Sequence, residues 1–154
     1  MANKFDELRG QMSPERRQQN KAEAERVLFD LGKPAAAAVT ARQVRDALAR
    51  YRMPVSVERE LQDAVERALR SERLEFKREV TRGADRIDFV VGSVGVELKV
   101  NGSVTEVHRQ LERYAAWEEL TELLLVTTRG HHLAMPNSIG GKPVLVHMVR
   151  GVLF

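Results

Sequence analysis

Three residues near the middle of the chain, Asp88, Glu97 and Lys99, have the types and spacing that suit a divalent cation. They lie on two short apolar segments joined by residues 92–95, Gly-Ser-Val-Gly, which is typical of the turn in a β-hairpin. Side chains alternate along a strand, so Glu97 and Lys99 point to one face, and strand pairing brings Asp88 near Glu97. Buried carboxylates are costly unless they bind something, and hard oxygen ligands suit Mg²⁺. The triplet therefore predicts a magnesium site.

The same three residues have a simpler interpretation, which is a solvated ladder of charges on one face of a sheet. The spacing D-x8-E-x-K is short and arises often by chance. Taken alone, the triplet does not choose between a ladder of charges and a metal site. The elements on either side of it are therefore needed to weigh the two interpretations.

The segments before the hairpin predict a helix and a strand. Residues 57–69 place apolar side chains at helical spacing, and Ser56 is the expected helix cap. Residues 74–80 alternate apolar and charged side chains, as a half-buried strand does. The hairpin follows directly, so the sequence predicts one helix and then three antiparallel strands.

The segments after the hairpin predict a helix and two more strands. Ser103 and Glu106 have the spacing of a capping box for a helix that continues to Trp117. Residues 123–127 form a continuous apolar run, typical of a strand covered on both faces. Residues 143–149 predict a last strand. Helices and strands interleaved in this order predict an α/β protein.

This order of elements, with these residues, resembles the PD-(D/E)xK nuclease superfamily, which includes restriction endonucleases, Holliday-junction resolvases and RecB-like exonucleases. Asp88 matches the aspartate on the second core strand of that family, and residues 97–99 (Glu-Leu-Lys) match its E-x-K triplet on the third. Ile87 stands where the motif has a proline. The resemblance covers about residues 56–128. It implies a restriction-endonuclease-like core made of a helix, a three-strand antiparallel meander, a helix and a strand.

A second motif of the RecB-like members has a counterpart on the later helix. Gln110 and Tyr114 match the Q-x-x-x-Y element, and they lie one helical turn apart on a shared face. The resemblance implies that Gln110 is catalytic and that Tyr114 contacts substrate. An inward-facing aromatic is also typical of a core residue, so Tyr114 keeps that alternative.

The resemblance implies Mg²⁺-dependent hydrolysis of DNA, with Mn²⁺ as a substitute, by an endonuclease or exonuclease. The expected metal ligands are the side chains of Asp88 and Glu97 and the main-chain carbonyl of Leu98. Lys99 is expected to position the attacking water and stabilise negative charge, or to act as a general base if its pKa is depressed.

A fourth acidic group usually comes from the first helix in this family. Glu60, near the start of that helix, is the candidate. Glu66 on the same helix and Glu79 at the end of the first strand are alternatives. Each of the three is also readily explained as a surface carboxylate.

The composition limits the alternatives without choosing a function. The chain has 154 residues and a net charge of +3. It contains no cysteine, which excludes disulfides and thiolate metal sites. No secretory signal or long apolar run is present, so we expect a cytoplasmic protein with no membrane segment. We expect residues 54–154 to form the nuclease-like core and residues 1–53 to form an N-terminal helical extension.

Residues 33–53 carry five basic residues and a single acid, Asp46. Thr40 is positioned to cap a helix over residues 41–51. The residues of this basic segment that lie along one side and are expected to contact DNA phosphates are Arg42, Arg45 and Arg52. A solvated helix face is the alternative.

The first part of the extension also predicts a helix. Residues 13–15, Ser-Pro-Glu, have the order of a cap, a proline at the first helical position and an acid in the first turn. The helix is expected to end near Leu31 and to pack on the core or on a second subunit, so a homodimer is one alternative.

Three functions remain open from sequence. The first is a Mg²⁺-dependent deoxyribonuclease. The second is a catalytically silent nuclease-fold module that binds nucleic acid or a protein partner. The third is an α/β domain whose charges coincide by chance. Two like charges kept adjacent in a sheet argue against the second, and the Q-x-x-x-Y helix argues against the third.

Overall fold

A computed structural model describes residues 13–16, 18–23 and 38–151. The chain divides into two compact units, Met1–Ala37 and Ala38–Phe154. Within the described residues, no helix is both long enough and apolar enough to cross a membrane.

In the first unit, residues 14–16 and 18–23 are helical. The hydroxyl oxygen of Ser13 accepts a hydrogen bond from the Arg16 main-chain N–H at 3.3 Å. This bond confirms Ser13 as the helix cap. The predicted continuation to Leu31, and residues 33–37 of the basic segment, lie outside the described residues.

The described part of the second unit contains three α-helices and six strands. The helices are α1 (Ala41–Leu48), α2 (Glu58–Ser71) and α3 (Val104–Ala115). The strands are β1 (Phe76–Arg82), β2 (Asp85–Val91), β3 (Val94–Lys99), β4 (Glu122–Thr127), β5 (Ser138–Ile139) and β6 (Lys142–Met148). A 3₁₀-helix spans Gly130–Ala134.

All six strands join one sheet in the order β1-β2-β3-β4-β6-β5. Strands β1, β2 and β3 are antiparallel, whereas β3, β4 and β6 are parallel. The carboxyl ends of the parallel strands therefore meet at one edge, where Lys99 is the Cα partner of Thr127 and Thr127 that of Met148. The α/β class predicted from sequence is confirmed.

Two of the three predicted helix caps in the second unit are confirmed. Thr40 and Ser103 both accept hydrogen bonds from the third residue of their helices in complete capping boxes. The prediction for Ser56 is wrong, because α2 begins at Glu58 with Val57 in the cap position and no side-chain cap bond. Acidic residues in the first turn of α2 offset the missing cap through the helix dipole.

The sheet separates two apolar clusters, one under α1 and α2 and the other under α3. Strand β4 contributes to both, because Leu124 and Val126 pack with the first cluster and Leu123 and Leu125 with the second. This double burial explains why the strand is a continuous apolar run. In β3 the apolar residues Val94, Val96 and Leu98 face α1 and α2, so the alternate positions face α3.

Helix α1 belongs to this core. Ala41, Val44 and Leu48 are buried in the cluster shared with α2. The predicted boundary at residue 53 therefore moves: residues 38–53 belong to the same compact unit as the sheet.

Strands β1 and β2 change faces together in the middle of their ladder. In β2, Phe89 packs under α1 and α2, whereas Ile87, two residues earlier, packs under α3. In β1, Phe76 and Val80 lie on opposite faces in the same way. The reversal falls at Glu79, whose φ of 53° is unusual for a residue with a side chain.

Gly95 makes room for the reversed half of β2. A Cβ at this position would lie 2.7 Å from Ile87 Cδ1 and 2.9 Å from Leu120 Cδ1. A larger residue would therefore push Ile87 out of the cluster under α3. Since Asp88 follows Ile87 directly, this packing helps to fix where the aspartate lies.

Candidate metal and active site

Asp88 lies where β2 and β3 separate. The ladder between these strands runs from Val91 to Phe89, which is paired with Val96, and stops before Asp88. Continued by one position, this register puts Asp88 opposite Glu97. The Asp88 Oδ2 atom accepts a hydrogen bond from the Leu98 main-chain N–H at 2.8 Å. The aspartate side chain thus takes the place of a main-chain partner at the fork.

The structure brings Asp88, Glu97 and Lys99 together, as the sequence predicts. Asp88 is 7% exposed and Glu97 is 2% exposed. Lys99 Nζ lies 2.8 Å from Glu97 Oε1. The other oxygen, Oε2, is buried without a hydrogen-bond partner among the described residues. The site is therefore a buried acid pair with one cation and one unsatisfied carboxylate oxygen.

Burial controls the protonation of these groups. It raises the pKa of Asp88, and the hydrogen bond from Leu98 opposes that rise only in part. Burial and the Asp88 charge together raise the pKa of Glu97 to about 7. Burial lowers the pKa of Lys99, but the Glu97 carboxylate outweighs it and the net shift is upward. Lys99 is a cation in this arrangement, which suits charge stabilisation rather than general-base chemistry.

Helix α2 adds two residues that the sequence reasoning missed. Gln62 is buried, and its Nε2 donates to Asp88 Oδ1 at 2.6 Å. Glu58, one turn earlier and half-buried, raises the pKa values of both Asp88 and Lys99 through its negative charge. In the sequence, Gln62 belongs to a row of polar residues spaced four apart, Glu58, Gln62 and Glu66, which lies at the edge of the apolar face of the helix. This row is the pattern that could have predicted both residues.

Glu60 does not join the site. Its side chain is exposed. Two residues along a helix correspond to a rotation of about 200°, so Glu60 lies on the opposite side from Glu58 and Gln62. On α2 the structure therefore brings an amide, not the predicted carboxylate, to Asp88.

The two alternative acids are also held elsewhere. Glu66 accepts hydrogen bonds from Arg70 at 2.6 Å and from Arg78 at 2.5 Å. Glu79 is exposed, and its carboxylate lies 3.9 Å from Arg86. These contacts describe surface carboxylates with their own partners.

The Leu98 carbonyl is directed to the predicted side. In an extended strand, the N–H and C=O of one residue point the same way. The Leu98 N–H is directed at Asp88, so its carbonyl also faces the fork. Among the described residues, no group of three or more His, Cys, Asp and Glu side chains could hold a metal ion. The donors at the fork are two carboxylates and this carbonyl, a small set that suits Mg²⁺, which usually keeps several waters.

The Q-x-x-x-Y pair ties α3 to β2. Gln110 Nε2 donates to the Tyr114 hydroxyl oxygen at 2.7 Å, and that hydroxyl donates to the Arg86 carbonyl at 2.5 Å. Tyr114 is 1% exposed, and burial together with the Glu97 charge raises its pKa. Because its proton is engaged by Arg86, Tyr114 does not satisfy Glu97 Oε2. The pair anchors β2 two residues before Asp88.

Of the three arginines predicted to contact phosphate, only Arg42 and Arg45 lie on α1, because this helix ends at Leu48. Arg42 is exposed on α1, whereas Arg45 is engaged with Asp46 at 2.7 Å. Arg52 lines an open groove of about 330 Å³ beside the end of β6. The residues lining this groove are Ala49, Arg50, Tyr51, Arg52, Arg150 and Gly151.

The fold and the site define an α/β protein with a buried cluster of two carboxylates and a lysine at a strand fork. No protein-family model, no curated protein and no solved structure matches this chain. Its function is therefore inferred from the site itself.

Proposed function

We propose that this protein is a Mg²⁺-dependent nuclease that hydrolyses DNA phosphodiester bonds through a PD-(D/E)xK-type site. One observation carries the proposal: Asp88, Glu97 and Lys99 converge at the fork between β2 and β3, and Glu97 Oε2 is buried with no hydrogen-bond partner in the described part of the chain. A carboxylate in such a position is destabilising unless a ligand compensates for it.

The order of elements supports a restriction-endonuclease-like core. Helix α2, the antiparallel strands β1 to β3, helix α3 and the parallel strand β4 follow each other as the family resemblance implies. Strand β2 carries Asp88, α2 carries its amide partner Gln62, and β3 carries Glu97 and Lys99. These three elements thus bring the proposed site together at the fork.

The residues present fit a hard divalent cation. Asp88, Glu97 and the Leu98 carbonyl would hold Mg²⁺, or Mn²⁺ in its place, and the cation would supply charge stabilisation and an acidified water. Binding would offset the repulsion between two carboxylates that burial makes costly. The metal thus explains both the acid pair and the unsatisfied oxygen.

Lys99 has a separate task. Its ammonium group is held by Glu97 and remains charged, so it stabilises the negative charge that develops on the attacked phosphate and orients the attacking water. Gln110 and Tyr114 support this geometry by fixing β2. Arg42, Arg45 and Arg52 are the proposed phosphate contacts on the DNA substrate.

The test is cleavage of single-stranded, duplex, flap and four-way-junction DNA with Mg²⁺, with Mn²⁺ and with EDTA. Asp88→Asn and Glu97→Gln are expected to abolish cleavage and to weaken Mn²⁺ binding in calorimetry, while the exposed control Glu118→Gln keeps both. Cation binding that is unchanged in both site variants would refute the metal site. Intact cation and DNA binding without cleavage by the parent would indicate a silent binding module.

A further inference from the structure

A chain of hydrogen bonds reaches Asp88 from the α2 side. Arg78 Nη2 donates to Gln62 Oε1 at 3.2 Å, and Gln62 Nε2 donates to Asp88 Oδ1 at 2.6 Å. The second oxygen, Oδ2, accepts from Leu98 at 2.8 Å. Both oxygens of the carboxylate are therefore fixed, one by α2 and the other by β3.

The Gln62 amide has one orientation that satisfies its neighbours. A guanidinium only donates and an ionised carboxylate only accepts, so the amide must turn its oxygen to Arg78 and its nitrogen to Asp88. The reverse orientation would place oxygen against oxygen at Asp88 and nitrogen against nitrogen at Arg78. Arg78 thus holds the amide with its nitrogen toward the aspartate.

Arg78 is itself immobilised. Its Nη1 lies 2.9 Å from Asp63 and 2.5 Å from Glu66, both on α2. Its guanidinium carbon lies 5.9 Å from the centroid of the Phe89 ring, on the strand that carries Asp88. The side chain is 28% exposed, so these contacts are partly shielded from water. Because the Arg78 guanidinium is held in place, it can in turn hold the Gln62 amide in one orientation.

A neutral amide between the two charges matters for cation binding. A guanidinium placed directly on Asp88 would neutralise the carboxylate and repel a divalent cation. Gln62 transmits the fixed position of Arg78 without placing a positive charge at the fork. Asp88 is therefore held in place without being paired to a guanidinium.

We propose that Gln62 and Arg78 are positioning residues, with Arg78 acting through Gln62 to hold the Asp88 carboxylate in the orientation that binds the cation. The inference rests on the proposed function for what is bound. The positioning of Asp88 itself is observable in the metal-free protein, at the Leu98 amide that contacts it. A network with only a structural role would leave cation affinity unaffected and would lower the protection of the Leu98 amide only together with that of other buried sheet amides.

The experiment compares Gln62→Met, Arg78→Met and the double variant, with Arg70→Met as control. Arg70 also binds Glu66 but has no bond to Gln62, which makes it a matched loss of a guanidinium. Calorimetry measures Mn²⁺ affinity, and NMR hydrogen exchange in EDTA measures Leu98 protection, taken as the protection of the Leu98 amide relative to that of other buried sheet amides. If Arg78→Met does not fold, Gln62→Met and Arg70→Met still give both readouts for the amide that contacts Asp88.

We expect each single variant to weaken Mn²⁺ binding by about 10- to 100-fold, typical of groups that orient metal ligands. The double variant should be no weaker than Gln62→Met, because Arg78 acts only through Gln62. Leu98 protection should fall in both single variants and stay at the parent level in Arg70→Met. Additive losses of affinity, or unchanged Leu98 protection, would overturn the proposal. Absence of cation binding in the parent would refute the proposed function, and Leu98 protection would still decide the positioning.

Discussion

Helix α2 lies beside two groups of carboxylates that differ in burial and in the number of their partners. Glu66 meets two guanidiniums, those of Arg70 and Arg78, and these hydrogen bonds lower its pKa. Glu97 is buried beside Asp88, and its pKa is raised to about 7. Arginines of the protein thus satisfy both oxygens of Glu66, whereas one oxygen of Glu97 has no donor among the described residues.

This difference in burial and pairing supports Asp88, Glu97 and Lys99 as the proposed functional cluster. Charge composition does not separate the two groups, since both combine carboxylates with basic side chains. What separates them is that the Glu97 side chain is 3% exposed and has an oxygen without a donor among the described residues, while the Glu66 side chain is 21% exposed and both its oxygens accept hydrogen bonds. Buried carboxylates that outnumber the nearby cations are typical of a metal site to which no cation is bound.

The largest effect expected from this difference is on turnover. Lys99→Ala should lower the cleavage rate by about 10²- to 10³-fold, because it removes a half-buried donor that the proposal places at the developing charge. DNA affinity should change little, since one charge among many phosphate contacts contributes modestly. Arg70→Ala removes an exposed cation from the satisfied group and should leave the rate unchanged. Single-turnover kinetics and a binding titration measure the two quantities.

Equal losses of kcat/KM and affinity in Lys99→Ala, with kcat unchanged, would contradict this prediction. Lys99 would then be a phosphate clamp, whose contribution to binding is the same in the ground state and the transition state. A rate loss in Arg70→Ala as large as that in Lys99→Ala would erase the contrast between the two groups.

The next effect is on the stability of the metal-free protein. The pKa of Glu97 rises from 4.5 to about 7 on folding, so the folded state holds a proton that the unfolded chain has released over this interval. Stability is therefore lost as the pH rises through it, by about 3 kcal/mol in total. Glu97→Gln should remove this loss, and denaturant unfolding in EDTA at about pH 5 and about pH 8 measures it.

Glu66→Gln is the control, for which the opposite change in stability is expected. The pKa of Glu66 is lowered on folding, so its contribution is present above the unfolded pKa and is lost in acid. Glu66→Gln should therefore reduce stability near neutral pH, where Glu97→Gln increases it. The difference in unfolding free energy between the parent and Glu97→Gln should therefore change between the two pH values. If this difference is the same at both, burial does not raise the pKa of Glu97.

Local sequence patterns predicted most of the elements because they depend on local physics. Ser103 with Glu106 marks the start of α3 through hydrogen bonds within four residues. The apolar run of β4 reports its burial on both faces. Ser56 fails as a cap because α2 begins at Glu58 and has Val57 in the cap position.

The composition of the site was harder to predict, because it depends on tertiary packing. The reversal at Glu79 requires Ile87 to enter a space left open by Gly95, and no local pattern encodes that contact. Choosing the α2 residue by charge gave Glu60, whereas the face that meets Asp88 presents Gln62. A buried amide carries no charge and leaves little trace in a sequence pattern.

The smallest effect concerns the exposed basic residues, where screening limits each contribution. Changing Arg42, Arg45 and Arg52 together to Ala should reduce the slope of log affinity against log salt by about two to three, because each phosphate contact releases counterions. The reduction in slope should be closer to two than to three, since Arg45 is already paired with Asp46. Fluorescence anisotropy on duplex DNA at several salt concentrations, in EDTA, measures the slope.

Two comparisons make this last prediction specific. The exposed residues Arg67, Lys77 and Arg109 carry the same total charge, and changing these three to Ala should leave the slope near that of the parent. Gln110→Ala should lower the cleavage rate without changing the slope, because a neutral side chain that anchors Tyr114 releases no counterions. If the Arg42, Arg45 and Arg52 variant keeps the parent slope, those arginines form a solvated face, and DNA is held elsewhere on the protein.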